Sequence, residues 1–445
     1  MAVAQVLRRL APWLTAVLGV AYVCLDASIY RSLLVLVVYA GVHLVSSGAS
    51  IGRSTIALVG AVLVIGAMAE RPDGTDIWIY QSYGRMVATH HANPYVSVPD
   101  DFADDPVMNR VLPMYRGDPS VYGPVLVAGS TVIASVSGES ELAGRLLWQS
   151  ACAIAVVAIA ALLWRRRVHP SLILLVVSSP LVVYQFLNQA HNDVFIGLLV
   201  LAGCLAAEKG KVVGATLCFA AAALVKAPVG VAFVVYLVWL WARGGRRDAS
   251  KALLTGTVFA LVALAPFGVG AAIAPMLDQK GSVNATSIWN LVRGDAATFV
   301  WNPIRSVETP AGGALAALSM VIPVAVSVVA AWHRRARALH EPMSIALLAW
   351  FVLALHPSVW YLGWVVPLAP LWSRRTTVTI VAYSSVCLIV NQSWLMPLAA
   401  RLSGDGRLDA IDRLAACGLG ISTLFGLWLV VHLMRTPLEV STDGG

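Results

Sequence analysis

The sequence predicts an all-α fold, a polytopic membrane helix bundle of about 12–14 spans with one long polar segment between them. Three observations predict it. Of 445 residues, 59% are hydrophobic and only 12% charged, with a mean hydropathy of +0.78. A soluble domain usually carries about a quarter charged residues, so this chain lacks the polar material to coat a core and lipid must cover much of its surface. Apolar runs recur along the whole chain. The cations, finally, fall between those runs in alternation.

Fourteen runs are long enough to cross, allowing for short spans inside a bundle. They are Ala11–Ser28, Leu33–Val45, Thr55–Ala69, Leu146–Trp164, Leu172–Phe186, Val194–Ala207, Val212–Val225, Val229–Trp241, Ala252–Ala274, Ala314–Trp332, Met343–Leu355, Trp360–Trp372, Val378–Val390 and Leu414–Met434. The first, behind Arg8 and Arg9, could pass for a signal peptide. It lacks a small-residue cleavage site before a soluble domain and reads as a retained helix. With the N-terminus inside, the cytoplasmic segments hold 18 of the 31 Lys and Arg but 5 of the 23 Asp and Glu. This asymmetry orients the chain with both termini cytoplasmic, in the plasma membrane. The basic clusters at Lys209–Lys211 and Arg243–Arg247 both read as inside. An even number of crossings must separate them, which gives two short helices meeting near Lys226.

The chain then reads as one membrane domain, residues 1–445, with an outer loop over 70–143 and a second over 275–312. Loops of that length are usually functional. The run from Tyr122 to Ser137 does not cross by charge parity and reads as a helix in the outer interface or re-entering it. Gln185–Asp193 and His356–Pro357 fall in smaller outer loops. No internal repeat stands out, which weakens a transporter built on inverted repeats. No basic run interleaved with exposed aromatics suggests nucleic acid. The six cysteines lie in apolar segments without a CxxC pair and read as small core residues, not as a disulfide or metal set.

Candidate chemistry concentrates on the outer side. Asp76 begins a segment directly after a span, near the membrane surface. A carboxylate there is a candidate general base, and partial desolvation would raise its proton affinity. The alternative is a solvated acid or a helix cap. Asn93-Pro94-Tyr95 and Tyr122-Gly123-Pro124 carry turn signals and could be backbone punctuation alone. Asp100, Asp101, Asp104 and Asp105 have a spacing that could hold a divalent cation or form a solvated acidic turn. Gln189-Ala190-His191-Asn192-Asp193 places polar groups at membrane depth. Lys226 could bind a lipid phosphate or snorkel to the headgroups. His356, beside Trp360 and Tyr361, suits an aromatic belt or a sugar-stacking platform. Asn284-Ala285-Thr286 matches a glycosylation pattern too short to carry weight.

Taken in order, Asp76 with Tyr80 and Tyr83-Gly84, Asn93-Pro94-Tyr95, and Tyr122-Gly123-Pro124 resemble the first outer loop of GT-C-fold glycosyltransferases. His191-Asn192-Asp193 and Ala223-Leu224-Val225-Lys226 resemble motifs of the actinobacterial polyprenol-phosphate-mannose-dependent mannosyltransferases. His356-Pro357 with Trp360-Tyr361 and Trp364 completes the set. The resemblance spans Asp73 to Trp364. It implies an inverting mannosyl transfer from a polyprenyl-phosphate donor to a glycolipid or lipoglycan acceptor, without cofactor or metal, giving an α-linkage on the non-cytoplasmic face. Asp76 would be the general base. Lys226 and Arg293 would bind the lipid phosphate, and His356 phosphate or acceptor. Tyr80, Tyr83, Asn93, Tyr95, Tyr122, His191, Asn192, Asp193, Trp360 and Tyr361 would line the donor site. The sequence departs from its relatives at Ala190, where they often have glycine, and in an extra N-terminal hairpin. An arabinosyl transferase, a polymer ligase or flippase and a secondary transporter are the alternatives.

Overall fold

The computed structural model describes residues 52–69, 71–72, 76–278, 282–283, 289, 305–306, 310–355, 357–391 and 408–436. The expected spans at 11–28 and 33–45 lie outside the described residues, as do Asp73, the Asn284 triplet, Arg293 and His356.

The fold is helical. Its described helices begin with α1 (Arg53–Ala69). Next come α2 (Asp76–Ala88), α3 (Pro124–Ser137), α4 (Glu141–Arg165) and α5 (Pro170–Val177). They are followed by α6 (Asp193–Glu208), α7 (Val212–Val225), α8 (Gly230–Ala242), α9 (Arg246–Leu264) and α10 (Val269–Asp278). The last four are α11 (Pro310–His333), α12 (His340–Leu353), α13 (Arg374–Asn391) and α14 (Leu408–Arg435). The described strand content is a two-residue antiparallel pair, Ser282–Val283 with Arg305–Ser306. Among the described residues, Glu141–Arg165 and Arg246–Phe267 are by themselves long and apolar enough to cross a membrane, and the other apolar helices are shorter.

Three expected spans are interrupted, each for a local reason. The run 172–186 bends by 60° between α5 and a π-helical turn, Val182–Asn188. Pro180, at the break, has no N–H to continue the ladder. Gln185 therefore sits in a helical turn and not in a loop. The run 252–274 stops at Leu264, where Pro266 and Gly268, at φ 78°, turn the chain into α10. The run 360–372 forms two 3₁₀ turns, Val359–Trp364 and Val366–Leu371, and in the second Pro367 and Pro370 have no N–H for an i→i−4 bond. Their buried side chains, Leu362, Trp364, Val366 and Leu368, belong to the main core.

Residues 76–137 form a compact layer. Helices α2 and α3 cross at Gly84, where any Cβ would overlap the Ser130 carbonyl. Three short 3₁₀ turns, Pro99–Phe102, Met108–Arg110 and Pro113–Tyr115, connect them. The acidic run is not one unit. Asp105 is buried in an ion pair with Arg85, 2.8 Å from His90 Nε2, while Asp101 accepts the Val98 N–H. Asp100 and Asp104 are exposed, and no described cluster of His, Cys, Asp and Glu could hold a metal ion. Burial pushes the Asp105 carboxyl up, but Arg85, the Val107 N–H and His90 more than reverse it, leaving its pKa below the ordinary 3.8. The loop is tied inward at Gly123, whose N–H donates to the Val225 carbonyl at 3.1 Å and whose Cα presses on Leu224 too closely for a Cβ. The described free cysteines are Cys152, Cys204, Cys218 and Cys387, all packed in helices.

Candidate active site

Five segments meet at this layer: the start of α2, the Tyr122 turn, the stretch leading into α6, the α7–α8 junction and the 3₁₀ turn at Val359–Trp364. Asp76 opens α2, where the helix dipole favours a carboxylate. One turn on, the Tyr80 hydroxyl donates to Asp76 Oδ2 at 3.3 Å. Tyr80 is held by an edge contact with Tyr122 (5.2 Å between centroids) and a tilted one with Trp148 (5.2 Å). His191 Nδ1 stands 3.2 Å from the same Oδ2, off the alignment of a hydrogen bond. The imidazole stacks on Trp360 at 4.2 Å and 13°.

The Asp76 side chain keeps 27% exposure, so it is reachable. The sequence leads one to expect a raised pKa, and the structure corrects this. Burial does push the carboxyl up, but the His191 ring, the Lys226 charge and the Tyr80 hydroxyl together hold it below its ordinary value. Burial also pushes the Tyr80, Tyr83 and Tyr122 phenols up, with the Asp76 charge adding to it, so all three stay protonated donors.

A second pair lies alongside. Lys226, at the end of α7, reaches both Asp193 oxygens, at 3.0 and 3.2 Å. Asp193 is fully buried and also accepts the Trp364 indole N–H at 2.7 Å. The Lys226 ammonium lies 4.6 Å over the Tyr361 ring and 5.9 Å from that of Tyr122, and Tyr361 stacks on Trp364. Lys226 therefore does not snorkel; its side chain is 12% exposed, inside an aromatic surround.

The structure thus brings together Asp76, Tyr80, Tyr122, His191, Asp193, Lys226, Trp360 and Tyr361. Asn192 lies among them, fully buried, with both amide atoms unpaired. Tyr83 contributes from the side, its hydroxyl donating to the Asp118 and Pro119 carbonyls. Asn93 and Tyr95 stand elsewhere. Asn93 donates to the Phe267 carbonyl and caps the Tyr95 N–H, and Tyr95 packs edge-on to Phe267, so the motif fastens the segment between α2 and α3 to the α9–α10 turn.

Sequence reading missed Trp148 and Gln185. Trp148 supports Tyr80 from inside an apolar span. Gln185 is buried in the π-helical turn with its amide unpaired. Insertions of that kind often mark functional sites, but nothing in an apolar run announces one.

Residues 33–243 match the family described as alpha-(1->6)-mannopyranosyltransferase, N-terminal domain. The chain is also 26% identical over 343 residues to alpha-(1->6)-mannopyranosyltransferase A of Mycobacterium tuberculosis (strain ATCC 25618 / H37Rv). That alignment covers 71% of this chain and 64% of the relative, so the chain spans a little under two thirds of the relative's length. Asp76, Tyr80, Tyr122, His191, Asp193 and Lys226 fall within the family match, and Trp360, Tyr361 and Trp364 beyond it.

Proposed function

From its likeness to this mannosyltransferase family, we propose that the chain moves a mannosyl residue from a polyprenyl-phosphate donor to a hydroxyl of a glycolipid or lipoglycan acceptor on the non-cytoplasmic face. The transfer inverts the anomeric centre and leaves an α-linkage, by the relative's name a (1→6) one. The observation that carries this reading is the convergence of a reachable, ionised Asp76 with the Lys226 ammonium in one aromatic-walled site.

The roles follow from the charges. The acceptor oxygen attacks C1 from the face opposite the phosphate, and its proton passes to Asp76. A low-pKa carboxylate serves here because the attacking oxygen becomes strongly acidic as the bond forms. The C1–O pair leaves with the phosphate, whose charge Lys226 meets. Lys226 still has donor capacity for it, since an ammonium carries three N–H groups and Asp193 engages it from one side. Tyr122 and Trp360 offer ring surface for the sugar, while Tyr361, covered by Trp364 and Lys226, holds the ammonium in place; by the resemblance, Arg293 would also bind the phosphate and His356 the phosphate or acceptor.

The test supplies a labelled polyprenyl-phosphate mannose to purified protein with an acceptor glycolipid. Label in the acceptor supports the reading. Transport without transfer would indicate a transporter, transfer of a preassembled polymer a ligase, and exclusive use of an arabinosyl donor a different sugar class.

A further inference from the structure

Both polar contacts on the Asp76 carboxylate fall on the same oxygen. Tyr80 donates to Oδ2, and His191 Nδ1 faces Oδ2 at 3.2 Å. Oδ1 accepts no hydrogen bond from any described residue. Among the described residues the base is thus held by one oxygen and not by the other, the arrangement a proton acceptor needs.

His191 is the more constrained of the two holders. Its N–H donates to the Gln185 carbonyl at 2.9 Å, and its own carbonyl faces the Cys152 thiol at 3.9 Å. Its ring lies flat on Trp360. The residue before it, Ala190, is fully buried in a left-handed conformation, φ 53°. A non-glycine residue there costs about 1–2 kcal/mol. Strain of this kind persists where the surroundings over-determine it, and it concentrates at functional sites. Here the left-handed residue turns the chain out of the π-helical turn and sets His191 against Asp76.

We propose that His191 is a positioning residue for the transfer: its Nδ1 holds Oδ2 of Asp76 so that Oδ1 meets the acceptor hydroxyl. The inference rests on the mannosyl-transfer reading and on Asp76 as its base. In the step, the acceptor O–H bond breaks, its electron pair stays on oxygen, and the new O–C1 bond forms. The proton goes to Oδ1, and the C1–O bond pair departs with the lipid phosphate. His191 gives up no proton; it fixes the carboxylate and keeps it charged. The Nδ1–Oδ2 contact is poorly aligned, as contacts of catalytic groups often are before substrate binds. This role differs from the donor contact expected of His191 from sequence.

The experiment compares His191→Leu and His191→Asn in the purified full chain, with labelled polyprenyl-phosphate mannose and acceptor. Leucine removes the Nδ1 donor; asparagine places Nδ2 where Nδ1 stood. His191→Leu should lower kcat by about 10²-fold, the cost of a slightly misplaced reacting group, with donor KM nearly unchanged. His191→Asn should recover about tenfold of that loss. Both variants remove the ring that helps hold the Asp76 pKa down, so the acid limb of kcat/KM should move to higher pH. The other groups that act on Asp76 (Lys226 from α7, Tyr80 and Tyr83 from α2, and Tyr115, Tyr122 and Tyr361 from their turns) are unchanged in both. An unmoved acid limb with raised donor KM would overturn the proposal and return His191 to the donor. Normal turnover per folded molecule in both variants, even at reduced yield, would overturn it as well. If Asp76→Asn is inactive while the His191 variants are normal, this inference alone fails; an active Asp76→Asn fails the reading beneath it.

Discussion

Lys226→Met tests the phosphate role, and the structure shows that the single variant cannot be read alone. It removes an ammonium held between both oxygens of a fully buried Asp193, leaving that carboxylate uncompensated. Breaking a buried pair from one side costs about 3–5 kcal/mol. Adding Asp193→Asn removes the stranded charge and keeps an oxygen for the Trp364 indole, so the double variant should recover most of that loss. Its donor affinity should not recover. A charged hydrogen bond to phosphate is worth about 1.5–3 kcal/mol, or roughly 10- to 150-fold in donor KM. Because a fixed charge acts on ground state and transition state alike, kcat should fall less than KM rises. The assay pairs thermal unfolding in detergent with donor-titrated initial rates for wild type, single and double variants. A stable double variant with wild-type donor KM would refute the reasoning and leave Lys226–Asp193 a structural pair.

Asp76→Asn keeps the shape and the Tyr80 contact but removes the base. It should fold and bind donor while losing about 10²–10⁴-fold in turnover, measured as label transferred per folded molecule. Near-normal turnover would remove Asp76 from the chemistry. Ala190→Gly should raise the unfolding midpoint, because relief of the left-handed strain, about 1–2 kcal/mol, exceeds the entropy a glycine adds to the unfolded chain; a lower midpoint would mean the Ala190 methyl packs for more than it strains. Reporter fusions at Arg166, Arg246 and Arg335 should report cytoplasm and one at Asp101 the outside, from the charge asymmetry of the loops. A cytoplasmic Asp101 would turn the whole site to the wrong face.

The helices were legible because apolar runs and the charges between them are local signals. Val212–Val225 was read to the residue, and the junction at Lys226 followed from parity between two basic clusters. What the sequence could not deliver was continuity inside a run. Mean hydropathy does not register that Pro180 bends one apolar run by 60° or that Pro367 and Pro370 keep the second half of another from α-helix. Those prolines are visible, but single prolines are also tolerated in membrane helices when neighbours satisfy the freed carbonyls, so their effect depends on packing.

The site was legible in its residue types and opaque in its pairing. His191-Asn192-Asp193 reads as one polar triplet, yet its members face three ways. His191 turns to Asp76, Asn192 keeps an unpaired amide inside, and Asp193 starts α6 and turns to Lys226 and Trp364. Two local events divide them: the left-handed Ala190 and the helix start at Asp193. The same division explains why two carboxylates and two basic groups can share one buried site. Each acid is matched by its own base, His191 for Asp76 and Lys226 for Asp193, and the Tyr122 ring lies between the pairs, against Tyr80 on one side and Lys226 on the other. Asp193, matched in full and sealed from solvent, can only hold. Asp76, touched by described residues on one oxygen and 27% exposed, has a lone pair to offer, and that difference in coordination, not in residue type, separates the proposed base from its neighbour.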